Sequence, residues 1–263
     1  MIELKPTKEV NILRIKGETT KEEEDILAIE YPFTIFLNDK EIITLLCSPK
    51  SLKDLTIGFL YSEGLIDNLA NIEKIYIDEE KGLAYVNVRE KKLLAEKLQG
   101  KRTITSGCGK GTLFYNVLDS FKSKKIEKPL DIKIEEIKAL MREFNRKSEL
   151  FLSTGGVHSC ALCTKSDILI FEEDIGRHNA LDKILGRAFI DGMDLSDKLV
   201  LTSGRITSEM LIKVAKRGIP VIISRSAPTS LSVELARELN ITVVGFARGQ
   251  KMNIYSSFPS LNF

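Results

Sequence analysis

The sequence has 263 residues, of which 43% are hydrophobic, and its 39 basic and 37 acidic residues give a formal net charge of +2. This length suits one large domain or two modest ones. The balanced charge argues against nucleic acid or an anionic membrane as the main partner. Because we find neither a membrane-spanning apolar run nor a signal peptide, we expect a cytoplasmic protein. Four cysteines in a chain of this length do not form a disulfide framework.

The N-terminal part of the chain is predicted to be rich in β-structure. Its first 24 residues are charged and contain one candidate strand, Val10 to Ile15. Two hairpins follow, and the turn of the first contains Asn38 and Asp39. A helix ending before Gly64 separates the hairpins. The predicted hairpin strands and helix are 35–37, 42–45, 51–62 (the helix), 72–77 and 83–88.

A charged, lysine-rich linker, residues 122–129, divides the chain into two parts. We expect a small β-rich subdomain at 1–122 and an α/β domain at 123–263. In the second part, three strands are joined by two helices, which predicts a parallel sheet. Asp174 is expected to cap a helix over the apolar positions 180–188. The remaining predicted segments are strands 157–164, 167–172, 198–201, 220–224 and 241–247, and helices 134–145, 208–217 and 230–239.

Cys108 lies in a glycine-rich stretch, TSGCGKGT, in which Thr112 is a candidate helix N-cap. A cysteine beside Lys110 and just before a helix has a lowered pKa and a larger thiolate fraction, which favours a reactive thiol. The alternative is an ordinary glycine turn that contains a cysteine. The local sequence leaves both interpretations open.

Polar residues follow each of the three predicted parallel strands. Crossover connections place the carboxyl ends of such strands at one edge of a sheet, where open α/β sheets bind ligands. Each end supplies an arginine, and arginines next to helix N-termini bind phosphates. We therefore predict a polyanionic, nucleotide-like ligand, although capping plus surface arginines is the alternative and no standard nucleotide fingerprint occurs. The candidate residues are Ser203, Gly204, Arg205, Ser224, Arg225, Phe246, Ala247, Arg248, Gly249, Gln250 and Lys251.

A C-x-x-C pair, Cys160 and Cys163, follows His158 in the stretch VHSCALC. Cysteines and histidines ligate zinc, but this odd spacing on a strand directs the two thiols to opposite faces. Ordinary packing is therefore favoured over metal binding, and Cys47, at the end of an apolar strand, is read as buried too. His158 and His178 are candidates to line a pocket with Cys108, where a histidine stabilises a thiolate or moves a proton.

Six ordered motifs together resemble the formate dehydrogenase accessory sulfurtransferase (FdhD) family. They are TSGCG, STGGVHSCAL, EDIGRHNALDKILG, LTSGRITSEM, GIPVIISRSAPTSLSVELA and GFARGQKMNIY. The likeness runs from about Tyr31 to Tyr255. The resemblance implies a cytidine-deaminase-like C-terminal domain with three α/β/α layers, beside the smaller β-rich subdomain, and a homodimer.

The same resemblance implies a sulfurtransferase, or sulfur carrier. Cys108 would take persulfide sulfur from a cysteine desulfurase. It would pass the sulfur to the molybdenum or tungsten bis-molybdopterin guanine dinucleotide that formate dehydrogenase needs. The family's cofactor-binding segment falls on Phe246 to Lys251, so a guanine nucleotide is an expected occupant. No protein-held metal is implied.

The sequence departs from some relatives at Gly111, where they carry a second loop cysteine. Either Cys108 acts alone, which we favour, or Cys160 or Cys163 reaches the loop. Two other functions stay open. The first is a cofactor chaperone without chemistry. The second is a zinc hydrolase of the deaminase type, although the H-x-E and P-C-x-x-C elements of such enzymes are missing.

Overall fold

The computed structural model describes residues 4–89, 125–258 and 261–262, so the Cys108 loop lies outside the described residues. The strands are β1 (Thr7–Lys16), β2 (Thr19–Ala28), β3 (Tyr31–Leu37), β4 (Lys40–Cys47), β5 (Ile72–Asp78), β6 (Leu83–Val88), β7 (Ile132–Lys133), β8 (His158–Cys163), β9 (Ile168–Asp174), β10 (Leu199–Thr202), β11 (Val221–Ser224), β12 (Thr242–Arg248), β13 (Lys251–Ser256) and β14 (Leu261–Asn262). The helices are α1 (Leu52–Ser62), α2 (Ile134–Lys147), α3 (Glu149–Thr154), α4 (Arg177–Ile190), α5 (Ser208–Lys216) and α6 (Ser230–Glu238), with one 3₁₀ turn at Leu69–Asn71.

The first two strands form a long antiparallel hairpin, where the sequence predicted a single short strand. The hairpin pairs Thr7 with Ala28 at one end and Lys16 with Thr19 at the other. The acidic run in β2 obscures the period-two pattern that normally marks a strand. The pairing between the two strands, which includes an ion pair between Arg14 and Glu23, stabilises the hairpin although the local pattern does not mark β2 as a strand.

A four-stranded sheet, in the order β4-β3-β6-β5, follows this hairpin. Both predicted hairpins are confirmed, and Asn38 and Asp39 take left-handed φ values of 48° and 66° in the first turn. The helix between them is confirmed as α1, and Gly64 follows it with φ 75°. Apolar side chains of the sheet and α1 share one core around Phe33 and Phe59, which fixes α1 against the sheet.

A six-stranded sheet, in the order β13-β12-β11-β10-β8-β9, organises the rest of the chain. The predicted parallel pairing of β10, β11 and β12 is confirmed, while β8, β9 and β13 pair antiparallel with their neighbours. Side chains of α4, α5 and α6 share a core with one face of the sheet, and those of α2 share another with the opposite face. The protein is therefore a mixed α/β structure. In the described part of the chain, no helix combines the length and apolar character needed to cross a membrane.

The two parts of the chain meet where α1 crosses α4. A Cβ on Gly58 of α1 would lie 1.7 Å from the carbonyl oxygen of Asp182, and one on Gly186 of α4 would lie 2.0 Å from that of Asp54. Since both distances are far below van der Waals contact, the helices approach this closely only because neither position carries a side chain. The contact ties the β-rich part to the α/β sheet.

Asp174 does not cap α4 as predicted, because Gly176 is the N-cap residue and contributes no side chain. The Asp174 carboxylate is instead fully buried at the end of β9. One of its oxygens accepts hydrogen bonds from Gly176 N–H and Asn179 Nδ2, both at 2.9 Å. The other accepts from Ser48 N–H at 3.1 Å and lies 2.7 Å from Lys183 Nζ. Asp174 thus fixes the start of α4 to the segment that follows β4.

Candidate functional site

The carboxyl ends of β10, β11 and β12 lie together at one edge of the six-stranded sheet, here called the strand-end edge. The antiparallel neighbours of these strands begin at the same edge. Thr202 at the end of β10 pairs with Cys160 near the start of β8, and Arg248 at the end of β12 pairs with Lys251 at the start of β13. Residues from five strands therefore contribute to one surface.

Hydrogen bonds join the loops that leave these strands. Arg225 N–H donates to the Thr202 carbonyl at 3.1 Å, and Phe246 N–H donates to the Ser226 carbonyl at 3.1 Å. The hydroxyl of Ser224 is fully buried and donates to the Gly204 carbonyl at 2.6 Å. Ser224 therefore holds two loops together, although the sequence had presented it as a ligand-binding hydroxyl.

The last predicted segment, Phe246 to Lys251, contains both exposed and buried residues. Phe246, Arg248 and the turn residues up to Lys251 are exposed, whereas Ala247 belongs to the core, so that its side chain points away from the edge. Arg248 Nε donates to the Arg225 carbonyl at 2.8 Å, and its guanidinium lies 6.0 Å from the centre of the Phe246 ring. The segment therefore presents an aromatic ring and a cation side by side.

Phe246 has an unusual backbone conformation. Its φ is 52°, a left-handed value that a bulky residue rarely adopts, and the register of β12 with β13 is irregular there. Its side chain is 38% exposed. Strain of this kind persists where the surrounding structure enforces it and is common at ligand sites. The strained backbone keeps the Phe246 ring at the edge.

A second group of residues lies at the start of β8. Ser203 Oγ accepts a hydrogen bond from Ser159 N–H at 2.9 Å and lies 3.3 Å from His158 Nδ1. A Cβ on Gly204 would lie 2.9 Å from Arg177 Cβ and 3.5 Å from His158 Nδ1, so both side chains pack against the backbone of residue 204. Arg205, the next residue, is exposed.

Burial and neighbouring positive charges lower the pKa of His158. Burial is the larger cause, followed by Arg177, His178 and Arg205, while Asp174 acts in the opposite direction. His178 Nε2 lies 3.2 Å from Glu209 Oε2. Burial and the neighbouring basic side chains therefore both disfavour the protonated form of His158.

Sequence reasoning did not select Arg177. The residue follows β9, whose predicted adjacency to β8 is confirmed by their antiparallel pairing, but no local pattern indicates that Arg177 packs against the loop after β10. The sequence feature that could have identified Arg177 as a site residue was its position beside His178, shortly after a strand. His158 and His178 had been predicted to line a pocket with Cys108, and that prediction stays open because Cys108 lies outside the described residues.

Three cysteines, Cys47, Cys160 and Cys163, are fully buried. Burial raises the pKa of Cys47 to about 12, that of Cys160 to about 12, and that of Cys163 as well. Cys160 lies in the core on the α4 face of the sheet and Cys163 in the core on the α2 face, as the odd spacing predicted. The pair therefore cannot ligate one ion. In residues 4–89 and 125–258, no group of three or more His, Cys, Asp or Glu residues is arranged to hold a metal ion.

The fold and the strand-end edge define a mixed α/β protein that presents basic side chains and the exposed aromatic ring of Phe246 where its parallel strands end. The chain belongs to the FdhD/NarQ family, whose sequence profile matches residues 28–261. It is 45% identical over 252 residues to the sulfur carrier protein FdhD of Listeria innocua, covering 95% of this chain and 97% of that protein. It is 44% identical over 241 residues to the sulfur carrier protein FdhD of Bacillus subtilis, covering 92% of each.

A solved structure has the same fold. The crystal structure of a formate dehydrogenase accessory protein from Desulfotalea psychrophila matches with a TM-score of 0.78 and 27% identity. The match covers 98% of this chain and 100% of that one. The family membership expected from the six motifs is thus confirmed.

Proposed function

We propose that the protein is a sulfur carrier that serves the maturation of formate dehydrogenase, and that Cys108 carries the sulfur. The observation that carries this assignment is the burial of Cys47, Cys160 and Cys163, combined with the sulfur carrier relatives at 45% identity. A carrier thiol must be an accessible thiolate, and burial that raises a thiol pKa opposes this. Of the four cysteines, Cys108 is the one that these observations leave available.

The proposed chemistry is persulfide exchange. The Cys108 thiolate attacks the outer sulfur of a persulfide on a cysteine desulfurase, a new S–S bond forms on Cys108, and the donor cysteine leaves as a thiolate. No net oxidant is needed, because the sulfane sulfur moves at constant oxidation level. Cys160 and Cys163 are buried on β8, which argues against either of them resolving the persulfide.

The proposed acceptor is the molybdenum or tungsten bis-molybdopterin guanine dinucleotide, bound as a substrate in the cytoplasm. Its phosphates would lie against Arg205, Arg225 and Lys251, and a guanine ring would stack on Phe246 beside Arg248. Arginine forks suit phosphate oxygens, and exposed aromatic rings suit nucleobases. The same proposal includes a β-rich subdomain at 1–122 and a domain with cytidine-deaminase-like layering at 123–263. It also includes a homodimer.

The test replaces Cys108 by alanine in a host whose own carrier gene is deleted. We expect Cys108→Ala to bind guanine nucleotide normally, to carry no sulfane sulfur after incubation with a desulfurase and cysteine, and to leave formate dehydrogenase inactive. Cys160→Ala and Cys163→Ala are matched controls. Both variants should still carry sulfane sulfur and should still give active formate dehydrogenase. Normal sulfane sulfur on the Cys108→Ala variant would refute the assignment.

A cofactor chaperone without sulfur chemistry is the second candidate, because the strand-end edge supports binding independently of any thiol. It predicts full formate dehydrogenase activity with Cys108→Ala. The same complementation experiment therefore separates the two functions. A zinc hydrolase is disfavoured because Cys160 and Cys163 face opposite cores.

A further inference from the structure

The hairpin of β1 and β2 has one side that the described part of the chain leaves exposed. Residues directly opposite each other in a hairpin share a face, and alternate residues along a strand do so as well. The register of the two strands therefore defines the residues of each side. We call the exposed side the outer face, and its residues are Glu9, Asn11, Leu13, Ile15, Thr20, Glu22, Glu24 and Ile26.

Large apolar side chains lie on this outer face without cover. Leu13 is 60% exposed, Ile15 is 68% exposed and Ile26 is 38% exposed. A solvated strand face normally carries polar residues, and an isolated two-stranded hairpin is only marginally stable in water. Exposed apolar side chains rimmed by polar ones mark interaction surfaces. The outer face therefore has the character of a surface that another molecule covers.

The charges of the hairpin are separated between its two sides. All four of its basic residues lie on the side opposite the outer face, where Arg14 forms ion pairs with Glu23 and Asp25. The outer face holds three carboxylates and none of the basic side chains. These carboxylates, which form no ion pair within the part of the chain that the structure describes, are Glu9, Glu22 and Glu24. The outer face is thus both acidic and apolar.

The base of the outer face lies beside the strand-end edge. Helix α3 packs against β2, and a Cβ on Gly156 would lie 3.4 Å from the Cβ of Ala28, the last residue of β2. Val157 alone separates Gly156 from His158, which opens β8 at the strand-end edge. Helix α3 also carries Leu152, which is 70% exposed. A protein bound to the outer face would therefore lie next to the edge where the parallel strands end.

The size of the outer face indicates a transient contact. Two strands of ten residues give it a footprint about 34 Å long and about 10 Å wide, or about 340 Å². Stable complexes bury roughly 800 Å² on each partner, and smaller contacts are typical of short-lived encounters. A permanent dimer therefore needs more surface than the outer face offers.

We propose that the outer face is a docking surface for the protein that receives the cofactor, and that it binds a part of that protein where basic side chains surround apolar ones. The identity of this partner as formate dehydrogenase rests on the proposed function, whereas its basic and apolar chemistry rests on the hairpin. Basic groups would pair with the three carboxylates, and apolar groups would cover Leu13 and Ile15.

A second copy of this chain is the less favoured occupant. Two outer faces related by a twofold axis present the same patch to each other, which brings the carboxylates of one copy against those of the other. Like charges directly opposite each other destabilise a contact. A partner that supplies the missing basic groups avoids this repulsion.

Charge reversal tests the electrostatic part of the proposal. Binding of the full-length protein to the cofactor-free formate dehydrogenase of the complementation host is measured by biolayer interferometry. The double variant Glu22→Lys, Glu24→Lys should bind at least about tenfold more weakly, because attraction becomes repulsion, and rising salt should weaken the parent protein more than the variant. The double variant Glu79→Lys, Glu80→Lys is the control, because it makes the same change of net charge in the exposed turn after β5.

A leucine pair tests the apolar part. Leu13→Thr should weaken binding by about fivefold or more, because the exposed side chain would no longer lose its contact with water on docking. Threonine retains the β-branched shape that strands favour, so the hairpin should still form. Leu27→Thr is the control, since Leu27 is 47% exposed on the opposite side of the same hairpin.

Photo-crosslinking identifies the occupant directly. A benzoylphenylalanine that replaces Glu24 on the outer face should crosslink to formate dehydrogenase, whereas one that replaces Lys21 on the opposite side should not. The host's cysteine desulfurase and a tagged second copy of the chain are present in the same mixture. Crosslinks from position 24 to either of these, in place of formate dehydrogenase, would overturn the proposal.

Two further results would also overturn it: no binding of the parent protein to formate dehydrogenase, or equal binding by the parent and the outer-face variants. Sulfane sulfur on Cys108 is assayed in every variant and should match the parent protein, because the hairpin takes no part in the proposed exchange. Absence of sulfane sulfur from the parent would refute the sulfur carrier function and leave the docking result as measured. Failure of the docking surface and failure of the proposed function are therefore distinguishable.

Discussion

Burial makes the three described cysteines of this chain inert. Cys47, Cys160 and Cys163 have no exposed surface, and their pKa values are raised first by desolvation. Cys160 also donates its thiol proton in a hydrogen bond to Thr202 Oγ1 at 3.3 Å. These residues behave as small hydrophobic side chains, in line with the packing role predicted for them.

We predict that alkylation of the native protein will leave these three cysteines unmodified. With a pKa of about 12, a thiol at pH 8 is a thiolate in only about one molecule in ten thousand, and burial also excludes the reagent. Iodoacetamide labelling followed by peptide mass spectrometry measures this, with labelling in denaturant as the control for all four sites. Rapid native modification of Cys160 would contradict the burial described here.

The crossing of α1 and α4 depends on two glycines that meet backbone rather than side chains. We predict that Gly58→Ala destabilises the protein by about 3 kcal/mol or more, because the added methyl group would overlap the Asp182 carbonyl and force the helices apart. Chemical denaturation measures the change in the free energy of unfolding.

Gly156→Ala is the matched control for this substitution. The nearest atom to a Cβ there is Ala28 Cβ at 3.4 Å, which is an ordinary contact. Its effect should therefore stay within about 1 kcal/mol. Equal destabilisation by the two variants would show that the helix crossing tolerates a methyl group.

The two parts of the chain are also joined by buried charges. Lys213 Nζ of α5 lies 2.7 Å from Asp182 of α4 and 3.2 Å from Glu63, which follows α1. Ser62 Oγ donates to Asp182 at 2.6 Å. Breaking a buried pair of this kind by removing one partner is costly, because the remaining charge is left uncompensated. The cluster thus couples α1, α4 and α5.

We predict that Glu63→Gln changes the pH dependence of stability. Desolvation, assisted by Asp182, raises the pKa of Glu63 above its ordinary value of 4.5 despite the opposing effect of Lys213. Folded protein therefore binds more protons than unfolded chain above pH 4.5, and the contribution of Glu63 is fully present below that pH and lost as pH rises through the folded pKa. Between pH 4.5 and the folded pKa of Glu63, the free energy of unfolding of the parent protein should fall by about 1.4 kcal/mol per unit of pKa shift.

Denaturant titrations from pH 4.5 upward measure the free energy of unfolding. Plotted against pH, the curve for Glu63→Gln should be flatter than that of the parent protein. Glu238→Gln removes the same charge from an exposed position and separates the effect of burial from that of net charge. Parallel curves for the parent protein and Glu63→Gln would contradict the prediction.

Elements with a clear local pattern were predicted from the sequence. The hairpin at Asn38 and Asp39, helix α1 before Gly64, and the parallel order of β10, β11 and β12 are all confirmed. The hairpin of β1 and β2 was mostly missed, because its acidic strand gains its order from pairing rather than from periodicity.

The candidate site was predicted in part. Arg205, Arg225 and Arg248 were placed at one edge by the crossover rule, and the structure brings their strands together there. That they bind a ligand stays a prediction. The buried hydrogen bond of Ser224 and the inward side chain of Ala247 depend on packing, which the sequence does not reveal.

Local periodicity, turn residues and ordered motifs were enough to establish the α/β class and the family, because these depend on neighbouring residues. The choice of Cys108 as the sulfur-bearing residue stays a prediction. The tertiary structure alone decided that β8 runs antiparallel to β10, that His158 and Arg177 both pack against Gly204, and that Asp174 anchors α4 instead of capping it. These features arise between residues far apart in the chain. Contacts of this kind are set by long-range packing, which the local pattern does not encode.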